Sequence, residues 1–169
     1  GLSLLRKNTI VLVCAVLALI FSSMLVLAVE PRPDTGTFFK DSARDGLGKL
    51  TIINDNLQMD AVAVLLPQNS KSKLAVYIRS KESFTISGIE DGSYDMYFEI
   101  GNNWDSNSDK FGDNGGFYKL DIALPFETIE RSDGTEYSGW TVALDAAAPN
   151  ANEAGRKISV NEEEFPGLE

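Results

Sequence analysis

The chain has 169 residues, with 25 Asp and Glu against 15 Lys and Arg, no His and a single Cys, for a net charge of −10. Without His there is no Ser-His-Asp arrangement and none of the common His-containing zinc sites. With its one Cys at position 14 in an apolar run, the remainder has neither a disulfide nor a thiol nucleophile. Such acidity argues against nucleic acid and anionic lipid as partners, because phosphate binding needs clustered Lys and Arg.

In chain order, the first element is an uncharged run from Asn8 to Val29, preceded by Arg6-Lys7 and closed by Glu30-Pro31-Arg32-Pro33. As a helix rising 1.5 Å per residue it would reach roughly 33 Å, the thickness of a bilayer's hydrocarbon core. Three readings compete for it. A cleaved secretory signal would use Val26-Leu27-Ala28, but the run is longer than an ordinary signal's apolar region. A signal anchor would hold Arg6 and Lys7, the topogenic pair, in the cytoplasm and export the rest. A pilin-like stem would start in the membrane and then pack against copies of itself. Gly1 in place of Met fits processing, by Met removal or by a prepilin-type peptidase.

Residues 1–29 resemble the N-terminal segment of type IV pilin-like and archaeal pilin-like subunits, in which a short processed N-terminus runs into about 20 apolar residues. The segment departs from the bacterial pattern at Leu5, where that family has Glu, and at Arg6-Lys7, which would be costly inside a helical core unless placed at its edge. Cys14 follows Val13 and so lacks the small residue that precedes a lipidated cysteine. The Gly1–Arg6 stretch misses the myristoylation pattern. The run holds no Gly and hence no GxxxG face, but Ala15, Ala18 and Ser22 form a narrow small-residue stripe beside Leu19 and Leu25. These five are the candidate assembly residues.

Residues 30–47 read as a Pro-containing linker and connector, with Pro31 and Pro33 favouring an extended spacer and 37–47 holding at most one helical turn. Beyond the stem the chain carries 13 basic against 25 acidic residues, a net of −12. Residues 48–169 are expected to be one all-β head, an antiparallel sandwich, long enough to bury a core without disulfides. Its strands are predicted at 49–53, 61–66, 74–78, 83–86, 94–100, 117–122, 126–130, 139–144 and 157–160. They are β-branched and aromatic runs separated by Asn, Asp and Gly turns. The fold class is therefore a single N-terminal hydrophobic α-helix plus an all-β antiparallel sandwich head.

The step Phe84-Thr85-Ile86-Ser87-Gly88-Ile89-Glu90-Asp91-Gly92-Ser93-Tyr94 resembles the I-x-D-G-x-Y strand–turn–strand of prealbumin-like and carboxypeptidase-regulatory-type sandwiches. Over about residues 48–145 that resemblance implies a fold and no reaction. Ile89, Tyr94, Phe98, Trp104, Phe126 and Trp140 are the expected core.

The chemistry is sparse. Gly112, Gly115 and Gly116 lack the Lys-Ser/Thr that completes a phosphate loop, and no spacing marks a carboxylate pair, so the sequence points away from an enzyme. The one candidate metal site is Asp105-x-Asn107-x-Asp109 with Asp113, whose alternating oxygens resemble a calcium loop. Lys110 and Gly116 stand where that loop has Gly and Glu. Glu162-Glu163-Glu164 reads as a solvated acidic edge, and no Asn-x-Ser/Thr sequon occurs.

Two functions are compatible with this pattern. The chain is a structural subunit of an extracellular pilus-like filament, membrane-inserted before assembly and polymerising with itself through its stem. Alternatively it is a single-pass anchored binding or accessory subunit, in which case Tyr97, Tyr118 and Tyr137 are the aromatics to check for an exposed cluster. The apolar stem and the Gly1 start favour the first.

Overall fold

Tyr94, Met96, Phe98 and Ile100 alternate with Asp95, Tyr97 and Glu99, and this period of two sends the apolar set to one face of a strand. In a computed structural model that strand is the centre of the head. The structure describes Ser3, Arg6 and residues 31–42, 44–145 and 155–169. The chain divides into two compact units, Gly1–Pro31 and Arg32–Glu169. In the first, Ser3 and Arg6 are helical and exposed. Lys7 and the candidate assembly residues Ala15, Ala18, Leu19, Ser22 and Leu25 lie outside the described residues. Among the described residues no helix is long and apolar enough to cross a membrane.

The second unit is all-β. Its strands are β1 (Phe38–Asp41), β2 (Gly48–Ile53), β3 (Asp60–Pro67), β4 (Leu74–Ile78), β5 (Ser83–Ile89), β6 (Gly92–Asp105), β7 (Lys110–Leu120), β8 (Leu124–Phe126), β9 (Thr128–Arg131), β10 (Gly134–Tyr137), β11 (Gly139–Ala143) and β12 (Lys157–Val160), followed by a 3-10 turn at Glu162–Glu164. One sheet runs β1-β4-β3-β6-β7-β12, with β8 also paired to β6. A second runs β11-β2-β5, and β9 and β10 form a separate hairpin. All pairings are antiparallel except β2 with β11, which is parallel. The sandwich-like core lies between the first two sheets. Leu50, Ile52, Ile86, Ile89 and Val142 come from the smaller sheet and meet Ala63, Leu65, Val76, Ile78, Met96 and Phe98 from the larger.

A second, smaller cluster covers the opposite face of the large sheet: Val62, Tyr77, Trp104 and Phe111, with Phe39 and Leu168 packed on it. Strands β3 and β4 therefore bury both faces, which is why their sequences are continuous apolar runs. Along β6 the even positions from Tyr94 to Ile100 face the main core, yet Trp104 enters the second cluster. The switch falls at the β-bulge between Ile100 and Gly101 and at Asn103, whose φ of 55° is left-handed.

Residues 37–47, expected as a connector with at most a helical turn, contribute strand β1 to the edge of the large sheet. An extended backbone sends consecutive side chains to opposite faces, and this sequence exploits it. Phe38 packs edge-on to Phe84 on the main core at 5.7 Å, while Phe39 stacks against Trp104 at 5.0 Å. The expected strand at 126–130 is two short ones, β8 and β9, paired to different partners.

The stretch before β1 is docked too. Arg79 donates from Nε to the Pro33 carbonyl at 2.7 Å and from Nη2 to that of Arg32 at 2.9 Å, and pairs with Asp34 at 2.6 Å. Arg32 Nε pairs with Asp60 Oδ2 at 2.7 Å. Asp60 also accepts from the Tyr77 hydroxyl at 2.6 Å and the Ser80 amide at 2.8 Å. The Gly36 amide donates to the Tyr77 carbonyl and the Tyr77 amide to that of Thr37, both at 2.9 Å. Gly36 itself is obligatory. Its φ is +90°, and a Cβ there would meet the Phe84 ring at 2.5 Å.

Candidate functional site

The turn between β6 and β7 holds the predicted calcium ligands. Asp105 and Lys110 close the hairpin, and Asp109 takes a left-handed φ of 49°, a conformation Asp tolerates better than most residues. The Asp105 carboxylate caps its own turn. Oδ1 accepts from the Asn107 amide at 2.9 Å and Oδ2 from the Ser108 hydroxyl at 2.8 Å, and these bonds hold its pKa below the usual carboxylate value. Asp113 lies back on β7, where it accepts from the Asn103 side chain. Asp105, Asn107 and Asp109 thus share one turn, and Asp113 sits apart. Among the described residues no three His, Cys, Asp or Glu side chains are grouped as metal ligands. The Asp105 oxygens are engaged in hydrogen bonds of their own turn.

Tyr97, Tyr118 and Tyr137 are not brought together. Tyr97 packs edge-on to Phe165 at 6.4 Å, Tyr118 stacks on Phe98 of the main core at 5.2 Å, and Tyr137 is exposed on β10 with Lys49 above its ring at 5.6 Å. Ile89, Tyr94, Phe98 and Phe126 sit in the main core as expected. Trp140 only packs against it, with Nε1 donating to the Pro125 carbonyl at 2.8 Å, and Trp104 is in the second cluster.

A groove of about 570 Å³ lies on the outer face of the large sheet. Its floor is Glu99 on β6 with Phe111, Asn114 and Phe117 on β7. One end is the β6–β7 turn, and the far wall is the segment from Glu162 to Glu169. Strand alternation explains the floor, since Glu99 sits on the face opposite Phe98 and Ile100. The wall is pinned by Phe165, whose ring packs against Phe117 at 5.3 Å and Tyr97 at 6.4 Å. Leu168 on the second cluster and a hydrogen bond from Lys73 Nζ to the Gly167 carbonyl fix its end.

Glu99 is the unusual residue, a carboxyl only 3 % exposed. Among the described residues its one hydrogen-bond donor is the Asn114 side-chain amide, at 3.1 Å from Oε2. Oε1 has no such donor. Burial, and secondly the negative charge of Glu162, push its pKa up to about 7 against the opposing pull of Lys110 and Asn114. Lys110 is committed to Glu162 at 3.1 Å across the rim, where both side chains are largely exposed, so that pair adds little stability. Near neutrality the groove thus holds a proton acceptor in an apolar wall, the kind of perturbed group that marks functional sites.

Neither Glu99 nor the Glu162–Glu169 wall stands out in the sequence as a site. The available signal was an acid flanked by Phe98 and Ile100 in a strand otherwise apolar on one side. The large separation between β6 and residues 162–169 hid the rest. No family model matches the chain, and no curated protein sequence matches it.

Proposed function

We propose that the chain is a structural subunit of an extracellular pilus-like filament, with stem helices forming the core and acidic β-heads the outer surface. The observation carrying this reading is the shortness of the join. The uncharged run ends at Val29, and from Arg32 the backbone is tied to the head by Arg79 and Asp60, which leaves Glu30 and Pro31 between them. A filament needs each head held at a fixed reach from its stem, whereas a head that searches for partners gains from a long flexible tether. The negative head charge keeps such filaments apart in solution.

The groove over Glu99 favours the second reading, a single-pass anchored subunit whose head binds a ligand. Electron microscopy of the sheared cell-free fraction, with mass spectrometry of the fibres, separates the two. In the filament, Ala18→Leu or Ser22→Leu abolishes fibres while leaving the thermal unfolding of the head within about 0.5 kcal/mol of the parent, since neither position belongs to the head. A chain that stays in the membrane fraction, with no fibres carrying it, overturns the proposal.

A further inference from the structure

From the groove on the outer face of the large sheet we infer that this head binds an alkylammonium group, the chemistry of a lysine side chain or of a small free amine, with the cation on Glu99 and its aliphatic stem against Phe117 and Phe165. The inference does not depend on whether the stem builds a filament or only anchors the head.

Four observations support it. The cavity, about 570 Å³, is large enough for a chain of several heavy atoms. Its base carries a carboxyl that is 3 % exposed and has one oxygen without a donor among the described residues, a group that gains most from a charged partner. The wall is aromatic, so a hydrocarbon stem is desolvated and an ammonium can lie near a ring face. The lining is also lopsided in charge. Glu99, Asp109, Glu162 and Glu169 face a single cation, Lys110, which is already paired with Glu162. An anion is repelled there, and a neutral alcohol leaves the buried carboxylate uncompensated.

Titration of Glu99 adds a signature. An ammonium binds the carboxylate form, so binding releases a proton wherever Glu99 is protonated in the free protein. Affinity therefore rises with pH up to and just past about 7 and then levels off. The charged groups facing Glu99, namely Glu162, Lys110 and the more distant Asp109 and Glu169, are all on the groove lining.

The test uses the full chain in detergent micelles, titrated with n-butylamine and with Nα-acetyl-lysine-N-methylamide while the Asn114 side-chain amide is followed by NMR. n-Butanol and butyrate are the neutral and anionic controls. The expected result is saturable binding of at least one amine, an affinity at pH 8 several-fold above that at pH 6, and a loss of about tenfold or more in Glu99→Gln. Tighter binding of the lysine derivative assigns the site to a protein side chain, and tighter binding of butylamine assigns it to a free amine. The proposal is overturned if neither amine binds better than butanol, if Glu99→Gln binds like the parent, or if the affinity of the parent is flat from pH 6 to pH 8. The last arm needs no variant at all.

Discussion

Asp60→Ala is expected to destabilise the head by about 2–5 kcal/mol and to release the segment before β1. Asp60 is 6 % exposed and accepts from the Tyr77 hydroxyl, the Ser80 amide and Arg32. The Arg32 side chain is half exposed, so its pair with Asp60 contributes little. The cost comes from the other two bonds. Tyr77 is 1 % exposed, and burial together with the Asp60 bond raises its pKa far above the usual phenol value, so its hydroxyl remains a donor at all physiological pH. Removing the carboxylate orphans that hydroxyl and an amide in a poorly solvated place, at about 1–3 kcal/mol each. Asp60→Asn keeps an acceptor and should lose about half as much or less. Urea unfolding measures the stability, and hydrogen exchange at the Gly36 and Tyr77 amides reports the release. Parent-like exchange at Gly36 in Asp60→Ala would show that Arg79 alone holds the segment.

Glu99→Gln is expected to act in the opposite sense, with an effect that grows as pH rises from about 4.5 to about 7 and then levels off. The pKa of Glu99 is about 7 in the folded protein and near the usual 4.5 when unfolded. Between those values the native state holds more protons than the unfolded one, so the contribution of this group falls as pH rises through the window, by about 3 kcal/mol in all. Below the window the carboxyl is neutral in both states and costs nothing. Glutamine preserves the acceptor for Asn114 and removes the charge. The variant should therefore match the parent near pH 4.5 and exceed it at pH 8 by about 1–3 kcal/mol, a shift of several degrees in Tm for a head of this size. Thermal unfolding at the two pH values decides it. A parent more stable than Glu99→Gln at pH 8 would mean that the fold stabilises the carboxylate.

These two acids also mark the boundary of what the sequence reveals. Strand β4 could be read directly, because Leu74 to Ile78 is an uninterrupted apolar run, and β6 announced itself through Tyr94, Met96, Phe98 and Ile100. Tyr94 was placed correctly by the turn at Glu90 and Asp91, and its hydroxyl reaches back to the Glu90 carbonyl at 2.8 Å. By contrast, the first half of β7, from Lys110 to Gly116, is polar and Gly-rich and becomes a strand only because β6 lies alongside. Strand β10, Gly-Thr-Glu-Tyr, is exposed throughout and held by its hairpin partner. Strand β1 is only four residues long and follows the Pro31 and Pro33 stretch, and its two phenylalanines make sense only once both faces of the sheet are known to be covered. The Asp105 pattern is ambiguous for a related reason. Oxygen side chains at alternate positions suit a cation loop and a capped hairpin turn equally well. Glu99 was illegible because burial of a carboxyl is a property of what covers it, here a segment more than sixty residues later.

The docking of residues 32–41 has a mechanical side. Tension arriving through Pro31 meets the clasps of Arg79 and Asp60 and then an edge strand, before it reaches any strand at the centre of either sheet. Breaking the clasps and peeling β1 would free about ten residues, or roughly 33 Å of extended chain. The cost is the exposure of Phe38 and Phe39, while β2 to β7 stay paired. Residues 32–41 are therefore expected to be the first length of chain that the head gives up under stretching.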